Sequence, residues 1–258
     1  CVSKVLDRLT PPDWQLCTNG RFNGRFTMKS NDYNYKHFGF WHYSLEHFDG
    51  PKIGAMAPDF TATTLDKKTM RLSDFRGKIV VLESASITCP ATIGTTSDMQ
   101  QLVRQYPDIA FLLLYVREAH PGERIAAHTS FDKKLSCAKR FREEEHDNRI
   151  IVVDDLEGTV HKQYGLFPNF VYVIGSDGYV AWRTPWNVTK RLNEVLASIH
   201  KNPHARFSEE YLLPEIKNQG FRALPRAGWR AILDLIPNIP YGIWIMYHFK
   251  KLYGNHKR

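Results

Sequence analysis

Three largely apolar stretches constrain the fold of this chain more than any other feature. They are KIVVLESA at 78–85, DIAFLLLYV at 108–116 and RIIVVDD at 149–155. Runs without polar alternation are typical of strands that are buried on both faces of a sheet, because helices cover both sides. The segments between these runs have the length and composition of helices. The pattern therefore predicts an open α/β sandwich.

The flanking segments extend this order of elements. Residues 51–78 predict a hairpin and a short turn, and FPNFVYVIGSDGYVAWR at 167–183 predicts two strands joined at Asp177-Gly178. Helices are predicted over 96–106, from Ser130 to Glu145, within 156–165 and from Val188 to His200. The sheet domain thus occupies 51–202, between an aromatic-rich N-terminal extension over 1–50 and a basic, aromatic C-terminal extension over 203–258.

Length and charge limit the function classes. The chain has 258 residues, 43% of them hydrophobic, which is enough for one complete core with extensions. Its net charge of +8 favours acidic ligands or an anionic membrane surface as partners. No nucleic-acid-binding motif accompanies that charge, so we predict that the chain does not bind nucleic acid.

The cysteine and histidine spacings predict neither a disulfide framework nor a metal site. Four cysteines occur and none forms a CxxC pair, which disfavours a zinc ribbon. His37, His42 and His47 recur every five residues, a spacing that suits neither one face of a helix nor one face of a strand. Localisation is left open between cytoplasmic and membrane-associated, because the sequence begins with Cys1 rather than Met.

Cys89 stands where the first apolar strand gives way to a helix, within SITCP at 86–90. A helix N-terminus stabilises a thiolate through its free N–H groups and partial positive charge, so the pKa of Cys89 is expected to fall toward neutrality. Ser86 and Thr88 place hydroxyls within reach of the sulfur, and Pro90 suits the first helical position. We predict that Cys89 is a nucleophile rather than an inert buried cysteine.

Three ionisable side chains follow the second apolar strand. Glu118 and His120 lie just past its end, and their spacing of two puts them on one side if the strand continues. His128 precedes the next predicted helix. Since strand ends converge on one crevice in an α/β sheet, these groups are candidates for proton transfer beside Cys89. Packing or surface roles are the alternative for each histidine.

Several segments of the sheet domain resemble those of a known superfamily and of one family within it. APDF at 57–60, LSDFRGK at 72–78 and the cysteine at the strand-to-helix turn resemble the thioredoxin and peroxiredoxin superfamily. SITCP resembles the Ser-x-Thr-selenocysteine-Pro motif of iodothyronine deiodinases. YVREAHPGE at 115–123, HTSFDKKL at 128–135 and YGLFPNFVYV at 164–173 resemble further segments of that family.

The resemblance implies a thioredoxin-like fold and a thiol-dependent oxidoreductase that removes iodide from a small iodinated aromatic. In this chain Cys replaces selenocysteine at the attacking position 89, and Glu118, His120 and His128 would handle protons and orient the substrate. The resemblance also implies that Pro168 and Phe170 line the substrate region. At the position of Phe170 the family has an arginine. No bound cofactor is implied, but an external thiol reductant is required, such as a thioredoxin or glutathione system.

Two alternatives stay open at this stage. A peroxiredoxin-like thiol peroxidase has Pro at −7 and Thr at −3 from its cysteine, whereas this chain has Leu82 and Ser86 there. A catalytically idle binding module is the second alternative, although it has no evident need for Glu118 and His120. Cys137, in the predicted helix after His128, is the best internal resolving thiol, with simple packing as its competing role. A homodimer is a further hypothesis.

The C-terminal extension contains the uncharged stretch LIPNIPYGIWIMYHF at 235–249. A spanning helix needs about 20 apolar residues, so this stretch is too short to cross a bilayer, and its prolines delay the regular helix to near Tyr241. Aromatic and basic residues over 228–253 and beyond favour an anionic lipid interface. Packing of the same segment back onto the sheet domain is an equal alternative.

Overall fold

The computed structural model describes residues 33–43, 47–240 and 242. Within this part of the chain the strands are β1 (Thr61–Thr64), β2 (Thr69–Arg71), β3 (Val80–Ala85), β4 (Ala110–Tyr115), β5 (Ile150–Val153), β6 (Val171–Ile174) and β7 (Val180–Thr184). The helices are α1 (Pro90–Gln105), α2 (Phe131–Glu145), α3 (Thr159–Gln163), α4 (Thr189–Lys201), α5 (Ala223–Ala227) and α6 (Trp229–Leu233).

The described strands form one mixed sheet in the order β2-β1-β5-β4-β3-β6-β7. β3 and β5 both pair in parallel with β4, whereas β6 and β7 add as an antiparallel hairpin beside β3. Every residue of β3 and β4 is buried, as expected for continuous apolar strands covered on both faces. The predicted order of strands and helices is confirmed, and the fold is thioredoxin-like.

Different elements cover the two faces of the sheet. Helices α1 and α4 pack on one face with the alternate residues Val81 and Phe111, and α2 extends that layer over Leu113. On the opposite face, aromatic side chains from 33–43 and helix α3 pack against Leu112 and Leu114. The irregular wrap predicted for the N-terminal extension is therefore seen over its described residues, which contain one short 3-10 turn at Phe40–His42.

The chain after the last long helix packs against the start of α1. The backbone at Gly220 approaches so closely that an added Cβ would lie 2.2 Å from the carbonyl oxygen of Pro90. Lys217 forms an ion pair with Asp98 of α1, and the buried residues of α5 include Ala223 and Ala227. Packing onto the sheet domain is thus observed for this part of the extension. The predicted helix start near Tyr241 lies outside the described residues, and none of the described helices has the length and apolarity to cross a membrane.

Candidate active site

Cys89 is the N-cap residue of α1, and Pro90 is the first residue of the helix. The predicted strand-to-helix turn is therefore confirmed, although the helix begins at Pro90 and not near residue 96. The turn closes with a hydrogen bond from the Cys89 N–H to the Ser86 carbonyl at 3.2 Å. Only 2% of Cys89 is exposed, so the thiol lies beneath the protein surface.

Burial raises the pKa of the Cys89 thiol above its usual value of 9.0. Contacts from the Thr92 side chain and from the N–H groups of Thr92 and Ala91 act in the opposite direction, as the helix N-terminus should, but they are outweighed. The nearby carboxylate of Glu83 adds to the rise. The lowered pKa expected from sequence is wrong, because the sequence showed the helix start and did not show how completely the sulfur is desolvated.

The hydroxyls of Ser86 and Thr88 have partners other than the sulfur. Ser86 Oγ accepts a hydrogen bond from the Ala119 N–H at 3.1 Å. Thr88 Oγ1 donates to Glu118 Oε2 at 2.6 Å and accepts from the His120 N–H at 3.1 Å. These two residues therefore tie the cysteine loop to the segment after β4.

Glu118 is the centre of a fully buried polar cluster. One carboxylate oxygen accepts from the side chain and N–H of Thr88, and the other accepts from the Tyr115 hydroxyl at 2.6 Å. His128 Nε2 lies 3.1 Å from Oε1 of Glu118. Burial acts to raise the pKa of Glu118, but the contacts of His128, Thr88 and Tyr115 outweigh it and hold that pKa below its usual value. The carboxylate is therefore ionised at neutral pH.

His120 lies on the other side of Thr88 from this cluster. Strand β4 ends at Tyr115, so the strand does not continue through Glu118 and His120 as the spacing argument required. The His120 ring stacks on Phe38 with centroids 4.0 Å apart, and Nδ1 is buried without a hydrogen-bond partner in the described chain. Burial lowers the pKa of His120 to about 3, so the ring is neutral at physiological pH.

Aromatic residues of the N-terminal extension lie near the cysteine loop. Tyr35 and Tyr43 share a hydrogen bond between their hydroxyls, and Tyr35 also donates to the Ala119 carbonyl at 2.8 Å. The Arg117 guanidinium lies 4.8–5.2 Å from the ring centres of Tyr33, Tyr35 and Tyr43. Burial raises the pKa values of Tyr35 and Tyr43, and the charge of a Cys89 thiolate contributes in the same direction. Both phenols are therefore neutral and close to the sulfur.

A buried ion network supports the strand that carries the cysteine loop. Glu83 of β3 pairs with Arg149, which also donates to both carboxylate oxygens of Asp147. The second oxygen of Glu83 accepts from the side-chain amides of Asn169 and Asn187 at 2.8 and 2.7 Å. Both carboxylate oxygens of Glu83 thus accept hydrogen bonds, which is the condition for tolerating a buried charge.

Cys137 lies in α2, as predicted, and it faces the Glu118 cluster. The sulfur lies within 4.8 Å of a ligand atom of Glu118 and of His128, and burial raises the pKa of this thiol to about 12. Cys137 packs with the apolar cluster under α2, whereas Cys89 packs with Ala91, Ala119 and Trp186. Both thiols are free, and Cys1 and Cys17 lie outside the described residues.

The two residues expected at the substrate region are both buried. The Phe170 ring contacts Tyr164 and Tyr172, and its N–H donates to Ser84. Pro168 is buried just before it. The structure does not bring the Phe170 side chain into the cluster around Cys89, so its role toward substrate stays a prediction.

Sequence reasoning missed several neighbours of the site: Thr92, Tyr115, Tyr35, Tyr43 and Glu83. Tyr115 carried a usable signal, since it ends a buried strand three residues before Glu118. Tyr35 and Tyr43 carried none, because their positions depend on how an irregular segment crosses the sheet.

Comparison with known proteins identifies the family. The family model described as iodothyronine deiodinase matches residues 22–203, which is most of the chain. The chain belongs to the iodothyronine deiodinase family. It is therefore a member of a family of oxidoreductases.

Individual relatives are also named as deiodinases. Thyroxine 5-deiodinase of Gallus gallus is 30% identical over 178 residues, which cover 64% of this chain and 66% of that protein. Thyroxine 5-deiodinase of Sparus aurata is 24% identical over 184 residues, 66% of each chain. The match thus covers slightly less than two thirds of each relative. The solved structure of hypothetical protein SMc02350 from Sinorhizobium meliloti 1021 superposes with a TM-score of 0.51 at 13% identity, covering 66% of this chain and 96% of that one, which is a likeness of fold.

Proposed function

We propose that this deiodinase-family chain is a thiol-dependent oxidoreductase that removes iodide reductively from an iodinated aromatic, with Cys89 as the attacking group. The observation that carries the proposal is that Cys89 follows Thr88 directly in the chain, and that Thr88 is hydrogen-bonded to Glu118, which lies beside His128. A sulfur at a helix start is joined through its neighbouring residue to an ionised carboxylate and an imidazole. Family membership supplies the class of substrate.

The proposed reaction balances with two equivalents of thiol. The Cys89 thiolate attacks iodine, the carbon–iodine bond breaks, and the aromatic carbon takes a proton, which leaves a sulfenyl iodide on Cys89. A first external thiol displaces iodide to form a mixed disulfide, and a second releases Cys89 and a disulfide. The Glu118–His128 pair is placed to supply the proton, since an imidazole beside a carboxylate suits proton transfer near neutral pH.

An external reductant fits the arrangement of thiols better than an internal one. Cys137 lies against Glu118 and His128, and it belongs to a different packing cluster from Cys89. We therefore propose a small thiol or a thioredoxin or glutathione system as the electron donor, with no bound cofactor. A homodimer stays a prediction.

A paired assay tests the proposal. Iodide release from an iodothyronine and peroxide consumption are measured on the same preparation, each with excess dithiol. Iodide release with little peroxide turnover is the expected result. Peroxide turnover without iodide release would assign the chain to the thiol peroxidases. Absence of both activities would favour the catalytically idle binding module.

Glu118→Gln is expected to slow iodide release by roughly 10²-fold or more, because general acid–base groups contribute about that much. The amide keeps the size of the side chain, and its single oxygen can still accept from either Thr88 or Tyr115, which donate to different oxygens of the carboxylate. The matched control is Glu123→Gln, since Glu123 lies just beyond the same segment and accepts from the N–H groups of Trp229 and Arg230. If Glu118→Gln lowered the rate of iodide release by less than threefold at unchanged stability, Glu118 would have a structural role only.

We also propose that the C-terminal extension docks on an anionic membrane surface. Five large apolar side chains with helical spacing are 43–64% exposed in and after α6: Trp229, Ile232, Leu233, Ile236 and Ile239. Apolar faces of this kind beside basic residues favour lipid interfaces, and Lys250, Lys251, Lys257 and Arg258 follow in the sequence.

Replacing Trp229 and Ile236 together by serine is expected to weaken binding to anionic vesicles by about 10-fold or more, since burying each such side chain contributes about 1.5–3 kcal/mol. Sedimentation with vesicles measures the bound fraction. Met56→Ser is the control, because Met56 is 53% exposed on another part of the molecule. Equal binding of the double variant and the parent would remove the membrane proposal.

A further inference from the structure

Glu118, His128 and Cys137 bring three different metal-binding side chains to one point beneath helix α2. One ligand atom from each residue lies within 4.8 Å of the other two. The side chains of Glu118 and His128 are 0% and 1% exposed, and Cys137 is partly buried. This convergence is not explained by the proposed reaction, which uses Glu118 and His128 and has no task for a thiol at that position.

The separation of His128 and Glu118 is close to that of two ligands in a zinc site, and Cys137 lies within 4.8 Å of both. Bonds of about 2.0–2.2 Å to nitrogen and oxygen and about 2.3 Å to sulfur put donor atoms on a tetrahedral zinc ion roughly 3.3–3.7 Å apart. His128 Nε2 lies 3.1 Å from Glu118 Oε1, yet it has no hydrogen-bond partner within the described residues. Two buried ligand atoms that lie close together without a well-oriented hydrogen bond between them can both bind one metal ion.

The surroundings of Glu118 already resemble those of a metal-bound carboxylate. Thr88 occupies one oxygen, and Tyr115 uses a single position on the other, which leaves one position of Oε1 free on the side of His128. Hydrogen bonds of this kind fix the orientation of a ligand. Nitrogen, sulfur and carboxylate donors together favour Zn²⁺ over hard ions such as Mg²⁺ and Ca²⁺.

We propose that Glu118, His128 and Cys137 form a Zn²⁺ site, with water as the fourth ligand, and that zinc bound there withdraws Glu118 and His128 from proton transfer. Binding forms one bond from zinc to each of the three side chains, and the proton of the Cys137 thiol passes to solvent. Sulfur and imidazole donors both hold zinc tightly, so occupancy switches the active site off without touching Cys89. The second half of this inference rests on the proposed function, whereas the existence of the site does not.

Cobalt(II) tests the site without any assay of activity. The 258-residue chain with Cys1→Ser and Cys17→Ser, metal-free and reduced, is titrated with Co²⁺, so that only Cys89 and Cys137 can supply a thiolate. The expected result is one Co²⁺ per chain, with the visible bands of four-coordinate cobalt and the near-ultraviolet band of sulfur-to-cobalt charge transfer. Zn²⁺ should displace the bound Co²⁺ and abolish both the visible bands and the near-ultraviolet band.

Two further variants locate the site. Cys137→Ser is expected to abolish the charge-transfer band, and Cys89→Ser to leave it intact. His128→Gln is expected to weaken Co²⁺ and Zn²⁺ binding by more than the roughly 10–100-fold that loss of an outer-shell partner costs. Urea denaturation checks that each variant is folded. A charge-transfer band that survives in Cys137→Ser, or its absence from the parent at excess Co²⁺, would overturn the site.

Inhibition is measured separately from binding. If the parent releases iodide, Zn²⁺ should suppress that release, and Cys137→Ser should need at least about 100-fold more Zn²⁺ for the same suppression. Equal zinc sensitivity of the two proteins would overturn the inhibitory role. Should neither protein release iodide, the proposed function fails while the cobalt result still decides the site.

Discussion

We expect Cys89→Ser to abolish the proposed iodide release and every other thiol-dependent turnover of this chain. The serine hydroxyl fills nearly the same space at the start of α1, but it is far less acidic and cannot be regenerated through a mixed disulfide. The expected loss exceeds 10³-fold, and single-turnover iodide release with excess dithiol measures it. Urea denaturation of the parent and of Cys89→Ser is the control, because it separates loss of the nucleophile from loss of the fold. Full activity of Cys89→Ser would place the nucleophile elsewhere.

The pH profile carries a second signature of the same sulfur. Because burial raises the pKa of Cys89 above 9.0, the folded protein holds the thiol protonated at neutral pH. The thiolate fraction, and with it the rate, should keep rising with pH into the alkaline range. The raised pKa also links the stability of the fold to pH. The contribution of the Cys89 thiol to stability is fully present below its pKa in the unfolded chain, and it is lost as pH rises through its higher pKa in the folded chain. Cys89→Ser should therefore reduce the alkaline loss of stability.

Arg149→Met is expected to lower the free energy of unfolding by about 3–5 kcal/mol, the cost of leaving buried carboxylates without their cation. Arg149 is 2% exposed and holds Glu83 and Asp147, neither of which can reach water. The thioether keeps most of the volume of the side chain, so the loss reports charge and hydrogen bonding more than a cavity. Urea denaturation of parent and variant measures the difference.

Two companions of this variant separate its causes. Arg140→Met breaks a surface pair with Glu144 in α2, where such pairs contribute about 0–1 kcal/mol. Adding Glu83→Gln and Asp147→Asn to Arg149→Met removes the buried charges themselves and should recover much of the stability. A loss below about 1 kcal/mol for Arg149→Met would mean that the network contributes no more than a surface pair.

The sheet could be predicted from sequence because its signals are local. The run at 108–116 is apolar at almost every position, and only a strand between two covered faces accepts such a run. The turn at Cys89 was predictable for a similar reason, since Pro90 is well suited to the first turn of a helix and poorly suited to a central strand. Helix α2 begins after Ser130, whose side chain accepts from the Lys133 N–H.

The electrostatics of the site could not be predicted in the same way. The pKa of Cys89 depends on the side chains that exclude water from it, and Tyr35 and Tyr43 reach it from a segment with no regular period. Glu83 reads in the sequence as one polar residue in an apolar strand, and its partner Arg149 follows 66 residues later. Contacts of this kind, between segments far apart in the chain, produce no periodic pattern in the sequence.

The burial of Cys89 has a kinetic consequence. A sulfur that is 2% exposed meets no substrate until the side chains packed around it move aside, so any turnover at Cys89 includes an opening step. Trp186 packs with Cys89 and is the large side chain placed to act as the lid of the site. Solvent viscosity and a covalent tether between the lid and the sheet would slow turnover without altering the sulfur chemistry. Selection among substrates would then be made partly at the entrance, by what can pass the side chains that enclose the sulfur.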